Sequence, residues 1–352
     1  AALIALGQPQ AALEGAERAL ASQPRYAPAL CVRANALYLL RRLRDAVEGY
    51  DHALAVDPTM AEAHAGRGMA LHRLRRFDEA LRSYERALAL RPEHAVTHEH
   101  RAATLLALGR QPEAIKAYQC ARRIRQAQDG DTSQVDFALA ALGVGKAPQR
   151  APQAYVKALF DQYAGHFDQH LTEVLDYRTP AAIDAALRRA GVDAGGDVLD
   201  LGCGTGLCAP YLKPPARSLV GVDLSERMLD KARETGLYDR LACADIAAFL
   251  AQESAGADLV VAADVFVYFG DLAEVFAQVA RILRPGGAFC LSTETCEGEG
   301  FVLQASNRYA HAAGYLRRLA DAHGFQVVLL ESTPLRSENG VPIVGQVAVL
   351  RT

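Results

Sequence analysis

The sequence predicts two fold classes in series, an all-α helical array followed by a three-layer α/β domain. Three observations predict it. The first third of the chain repeats itself every 34 residues. The second half alternates short apolar runs with helical stretches, and one apolar run ends in a glycine-rich loop. Charge divides along the same line: residues 1–126 hold 19 Lys+Arg against 13 Asp+Glu, and residues 127–352 hold 19 against 28. The 352 residues carry a net charge of −3, and they are 51% hydrophobic and 22% charged, which is the composition of a soluble globular chain with room for two or three domains.

In the array, Ala46, Ala80 and Ala114 occupy one equivalent position, Tyr50, Tyr84 and Tyr118 the next, and Ala53, Ala87 and Ala121 the third. Pro58 and Pro92 close two repeats, and Gln126 stands in the third. A partial copy precedes them, with Ala12, Ala16, Ala19 and Pro24 in the same slots. Small residues suit a close helix crossing, the Tyr fills the adjoining hole, and Pro cannot continue the helix before it. The pattern resembles the tetratricopeptide repeat. Residues 1–142 are therefore expected to form such an array, with Gln134–Leu142 as its capping helix. The chain starts at Ala1 without a Met, and the first copy is incomplete, so further residues are expected upstream. The array has two readings: a concave groove for a peptide or partner protein, or a surface for homodimerisation or stability.

Gly143–Pro152 reads as a linker. In the second half, Val198–Leu201 is a strand ending in Gly202-Cys203-Gly204-Thr205-Gly206, where glycines allow a tight turn and close approach to a ligand. Leu219–Val222 is a second strand ending in Asp223 and Leu224, and Ser225 caps the helix after it. Leu241–Ala244 is a third strand, followed by Asp245 and Ile246. Asp258–Ala262 is a fourth, ending near Asp264 and Val265. Leu283–Gly287 turns into a fifth, Ala288–Ser292.

The motifs VLDLGCGTG, GVDLS, ADI, AADVFVY and LRPGG, in this order, resemble class I S-adenosylmethionine-dependent methyltransferases. The G-x-G-x-G spacing disfavours a nicotinamide dehydrogenase, and a spermidine-synthase-like use of the same cofactor is a smaller rival. The resemblance implies a Rossmann-like domain over 191–352 with a seven-stranded mixed sheet, its last strand Ile343–Leu350 antiparallel. It implies S-adenosyl-L-methionine as cofactor. Asp200 and the backbone of Gly202, Cys203, Gly204 and Gly206 would surround the methionine part, and Asp223 with Leu224 the ribose. Asp245 and Ile246 would hold the adenine, with Asp264 and Val265 near the amino group and the transferred methyl.

The flanks YVKALFDQYAGHFDQHLTEVLDYRTP and LRSENGVPIVGQ, with Arg308-Tyr309-Ala310-His311, resemble a bacterial group of methyltransferases that carry tetratricopeptide repeats. Val156, Leu159, Phe160, Tyr163, Phe167 and Leu171 recur at helical spacing, so residues 153–190 are expected to form lid helices, one of them begun by Thr179 as cap and Pro180. Tyr163 is either a hydrogen-bond donor to the cofactor carboxylate or part of an aromatic stripe. His311, with Tyr309 and Arg308, is the candidate base or acceptor contact, the alternative being that Tyr309 and His311 only cap and pack the next helix. Arg308 could pair with an acceptor carboxylate.

His166 and His170 share a helix face, but no third ligand has metal-site spacing, so no metal is expected. No apolar run approaches membrane-spanning length. Lys and Arg are too dispersed for nucleic acid to be an expected partner. Seven scattered cysteines without a C-x-x-C pair fit a reducing cytoplasm. The turn ADVFVY is not the N-P-P-Y-like turn of enzymes that methylate amino groups of bases or glutamine, and no Pro-Cys nucleophile occurs there. An O, N or S acceptor on a small molecule, peptide or protein remains. The alternative function is a repeat-based adaptor or oligomerisation protein whose methyltransferase-like domain only binds or ignores the cofactor.

Overall fold

The computed structural model describes residues 2–164, 176–254, 256–338 and 340–352. The chain folds as two units, Ala1–Gly145 and Lys146–Thr352.

The first unit is all helical. Its described helices are α1 (Ala2–Ala5), α2 (Pro9–Ser22), α3 (Ala27–Leu39), α4 (Leu43–Val56), α5 (Ala61–Arg73), α6 (Phe77–Leu90), α7 (Ala95–Ala107), α8 (Gln111–Ala127) and α9 (Ser133–Ala141). The repeated alanines Ala46, Ala53, Ala80, Ala114 and Ala121 are fully buried, and Tyr50 and Tyr84 nearly so. The holes that Tyr50 and Tyr84 fill are two glycines of α5, the helix between them: a Cβ on Gly66 would lie 2.5 Å from the Tyr50 ring, and one on Gly68 2.5 Å from the Tyr84 ring. Helices α4 and α6 are 14 residues long and stop before Pro58 and Pro92, whereas α8, with Gln126 in the proline slot, runs to 17. Each repeat turns at one left-handed residue: Gly7, Arg41, Arg75 and Gly109, at φ 60° to 73°. The turns share a Schellman pattern; at Arg41 its amide donates to Tyr38 O at 3.0 Å and Arg42 N to Leu37 O at 2.9 Å.

The second unit is α/β. Its elements are α10 (Gln153–Tyr163), α11 (Thr179–Arg189), β1 (Asp197–Leu201), α12 (Ala209–Leu212), β2 (Ser218–Asp223), α13 (Glu226–Thr235), β3 (Arg240–Cys243), α14 (Ile246–Gln252), β4 (Ala257–Ala262), a 3-10 turn (Phe266–Tyr268), α15 (Ala273–Ile282), β5 (Leu283–Thr295), β6 (Phe301–Leu303), β7 (Tyr309–His311), α16 (Ala313–Ala322), β8 (Gln326–Glu338) and β9 (Val341–Arg351). The main sheet runs β3-β2-β1-β4-β5-β9-β8, with β9 antiparallel to both its neighbours. This is the expected seven-stranded mixed sheet; the short β7-β6 pair extends β5 at Glu294 and Thr295, beyond the last β4 pairing at Leu291, and brings the described strands to nine.

Strand residues alternate between two apolar layers. Leu199, Val260 and Phe289 pack with α14, α15 and α16, while Val198, Leu259, Val261 and Cys290 pack with α11 and α12. Helix α11 is thus a layer of the sandwich, not a lid, because Ile183, Ala186 and Leu187 bury against the sheet. Thr179 lies inside that helix, and its hydroxyl donates to Leu335 O at 3.3 Å instead of capping. No described helix is long and apolar enough to cross a membrane.

Candidate functional site

The carboxyl ends of β1, β2, β3 and β4 open into one cavity, where the strand order reverses between β1 and β4. Counting its open mouth, it encloses about 1170 Å³. Its floor is the loop after β1. Gly202 and Cys203 donate their amides to Val222 O at 2.8 and 3.0 Å, which folds the loop back over β2. Gly202 stands at φ +67°, and a Cβ there would lie 2.4 Å from Val265 Cγ2. The predicted helix after the loop is one short turn, α12, starting at Ala209 rather than about Leu207.

Three acids at successive strand ends line the cavity, each differently held. Asp200 is buried, accepts the Tyr238 hydroxyl at 2.7 Å, and is pushed up to about 7 by burial. Asp223 accepts Gly204 N at 3.0 Å and Ser225 N at 2.8 Å, and burial raises its pKa. Ser225 caps α13 as predicted, accepting Met228 N at 3.3 Å. Asp245 caps α14 through Ala248 N at 3.2 Å and pairs with Arg150 at 3.2 Å. Leu224, Ile246 and Phe269 add an apolar wall. Asp264 holds φ +54°, uncommon for a residue with a Cβ, and donates its amide to Ser292 Oγ at 2.8 Å. Its carboxylate meets Arg336 at 3.3 Å.

The acceptor candidates separate. Arg308 lines the cavity. Tyr309 does not: it is buried on β7 and donates its hydroxyl to Pro148 O at 2.7 Å. His311 does not either. It is fully buried, its Nε2 is 3.0 Å from Gly270 O, and it stacks on Tyr315 at 5.9 Å. Burial pushes it down to about 4, the opposite of what a base at neutral pH needs. Both are packing residues, because β7 is covered on both faces. Tyr163 is 40% exposed on the last turn of α10 and is outside the cavity lining, to which the preceding turns contribute Val156 and Phe160. His166, His170, Phe167 and Leu171 lie outside the described residues. Among the described residues no group of three or more His, Cys, Asp or Glu could hold a metal.

The stretch expected to be a linker is partly structure of the site. Gln149 O accepts Gly270 N at 2.7 Å and Asp271 N at 2.9 Å, and Ala151 N donates to Tyr268 O at 2.8 Å. This strap delivers Arg150 to Asp245. Helix α10 is fastened through Asp161, which accepts Ser225 Oγ at 2.6 Å. Sequence reasoning gave no role to Arg150, Tyr177, Tyr268 or Arg336, all of which line the cavity. Tyr177 and Arg336 do sit in the flanking segments that carried the narrower resemblance.

A glycine-rich loop, carboxylates with unused lone pairs and an apolar wall fit an adenosyl cofactor. Residues 199–291 match the family model for a methyltransferase domain, and residues 59–127 match that for tetratricopeptide repeats. The ubiquinone biosynthesis O-methyltransferase of Aromatoleum aromaticum is 34% identical over 118 residues, covering 32% of this chain and 50% of that protein. The malonyl-(acyl-carrier protein) O-methyltransferase of Salmonella typhimurium is 28% identical over 175 residues, covering 49% of this chain and 67% of that protein. The chain therefore spans about half to two thirds of the length of these relatives. Among solved structures, the 1,6-didemethyltoxoflavin-N1-methyltransferase of Burkholderia thailandensis aligns at 20% identity with a TM-score of 0.46, covering 59% of this chain and 93% of that one. The chain joins N-terminal tetratricopeptide repeats to a C-terminal domain of the S-adenosylmethionine-dependent methyltransferase family.

Proposed function

We propose that the chain binds S-adenosylmethionine in this cavity and transfers its methyl group to an O, N or S atom of an acceptor that enters beside Arg308. The single observation that carries the reading is the convergence of the glycine loop and the acids Asp200, Asp223 and Asp245 on one cavity. The cofactor, when bound, supplies a methyl carbon activated by a sulfonium. The chain's part is to hold acceptor and methyl in contact and to exclude water.

The Asp223 carboxylate accepts from the backbone of Gly204, Leu224 and Ser225 and keeps a lone pair for a ribose hydroxyl. Asp245 and Ile246 would hold the adenine, with Arg150 closing over that end. Asp200 and the Gly202–Gly206 backbone would surround the methionine part. Phe160 of α10, packed edge-on against Tyr268 at 5.5 Å, helps keep the cavity dry. The repeat array would recruit a peptide, a protein or the acceptor itself, the usual use of such scaffolds.

Incubating the full chain with isotope-labelled S-adenosylmethionine and cell extract tests the reading. Label is expected on an extract component, and its mass says whether the acceptor is small or a polypeptide. Label that never leaves the cofactor, despite cofactor binding, would leave a cofactor-binding adaptor.

A further inference from the structure

Three arginines line the cavity; Arg150 pairs with Asp245, and the other two are unequally committed. Arg336, whose side chain is 2% exposed, contacts both Asp264 and Glu294. Arg308 meets the same Glu294 oxygen, Oε1, at 3.3 Å, the one hydrogen bond its guanidinium makes among the described residues. A guanidinium carries five N–H donors in a planar fork. Among the described residues most of Arg308's donors are therefore uncommitted, on a side chain only 24% exposed. Sheltered donors of this kind call for an acceptor, and a carboxylate fits the fork with two parallel bonds.

The described lining also lacks a group suited to take a proton from a neutral nucleophile. It contains no histidine, lysine or glutamate. Asp264 is engaged by Arg336, Asp245 by Arg150, Asp200 by the Tyr238 hydroxyl beside the glycine loop, and Asp223 by the Gly204 and Ser225 amides on the side assigned to the ribose. Burial pushes the Tyr268 phenol up to about 12. A hydroxyl or ammonium acceptor must lose a proton on methylation, whereas a carboxylate is already ionised at neutral pH.

We propose that the methyl acceptor is a carboxylate, that Arg308 binds and orients it, and that the product is a methyl ester. This rests on the methyl-transfer reading above. One carboxylate oxygen gives a lone pair to the methyl carbon, and a C–O bond forms as the methyl–sulfur bond breaks. The electron pair of that bond stays on sulfur, so anion and sulfonium become a neutral ester and a neutral thioether, and no proton leaves.

Methyl esters hydrolyse in alkali, and methyl ethers, thioethers and methylamines do not. The full chain is incubated with methyl-labelled S-adenosylmethionine and extract of cells expressing it, then the products are treated with alkali. Release of the label as methanol is expected, and alkali-stable label would overturn the proposal. Arg308→Gln is expected to cut transfer by about tenfold or more, with Arg308→Lys in between. Calorimetry should find cofactor affinity in Arg308→Gln within about twofold of the wild type, which also shows that the variant is folded. A tenfold loss of cofactor affinity would overturn the proposal by giving Arg308 to the cofactor's own carboxylate. Transfer to no component, with cofactor bound, would remove the methyl-transfer reading and this proposal together.

Discussion

A methyl group at Gly202 has nowhere to go, since Val265 Cγ2 stands 2.4 Å from where it would sit, on backbone already at φ +67°. Gly202→Ala is expected to weaken S-adenosylmethionine binding by about tenfold or more. Adding Val265→Ala should recover part of that loss and no more, because the backbone strain stays; titration calorimetry on both variants checks it. Asp200 makes a prediction in pH. Burial lifts its folded pKa to about 7, with the Tyr238 hydroxyl opposing and Asp223 adding to the rise. The unfolded value is near 4. The stability carried by the neutral carboxyl is therefore complete below about pH 4 and is lost as pH rises towards 7. Asp200→Asn should flatten that fall by about 2–4 kcal/mol in urea unfolding at the two ends of the window; an unchanged slope would show that Asp200 titrates normally. The strand-end acids were legible because a short apolar run followed by Gly or Asp marks its own terminus. Arg150 and Arg336 were not, since they reach the cavity from a Pro-rich strap and a far strand, and no local pattern marks either. Tyr309 and His311 misled because a Tyr-Ala-His strand buried on both faces has the composition of a functional loop.

At the scale of elements, the repeat turns differ only in the residue that holds the left-handed position. Gly7 and Gly109 do so freely, and Arg41 and Arg75 do so against their Cβ. Arg41 is exposed, so Arg41→Gly should stabilise the array by about 0.5–1 kcal/mol in chemical unfolding. A loss of stability would mean that the Arg41 side chain makes a contact worth more than the strain. The array was the more legible half, since its period fixed helix pairs, tyrosines and closing prolines together, and even the longer α8 follows from Gln126 in a proline slot. Two elements of the α/β unit were not legible. The β6 and β7 strands have three residues each, too few to show a period. Helix α11 has the amphipathic face of a lid, and only the sheet it covers distinguishes it from one.

For the whole molecule, the strap Pro148–Ala151 decides where the catalytic unit starts. A fragment of residues 146–352 retains Arg150 and its backbone bonds to the 3-10 turn, whereas residues 153–352 lack both. The longer fragment should bind cofactor like the full chain and the shorter one several-fold more weakly, which fluorescence or calorimetric titration can rank. If the array recruits a polypeptide acceptor, removing residues 1–145 should raise KM for it with little change in cofactor affinity, since every cavity residue lies beyond that cut. Unchanged KM for the true acceptor would refute recruitment. The claim on which all of this stands is that the cavity at the ends of β1 to β4 binds S-adenosylmethionine. Calorimetric titration of the full chain and of Asp223→Ala tests it most directly. One saturable site is predicted, weakened about tenfold or more by the substitution. No binding at about millimolar cofactor, or full affinity in Asp223→Ala, would contradict it.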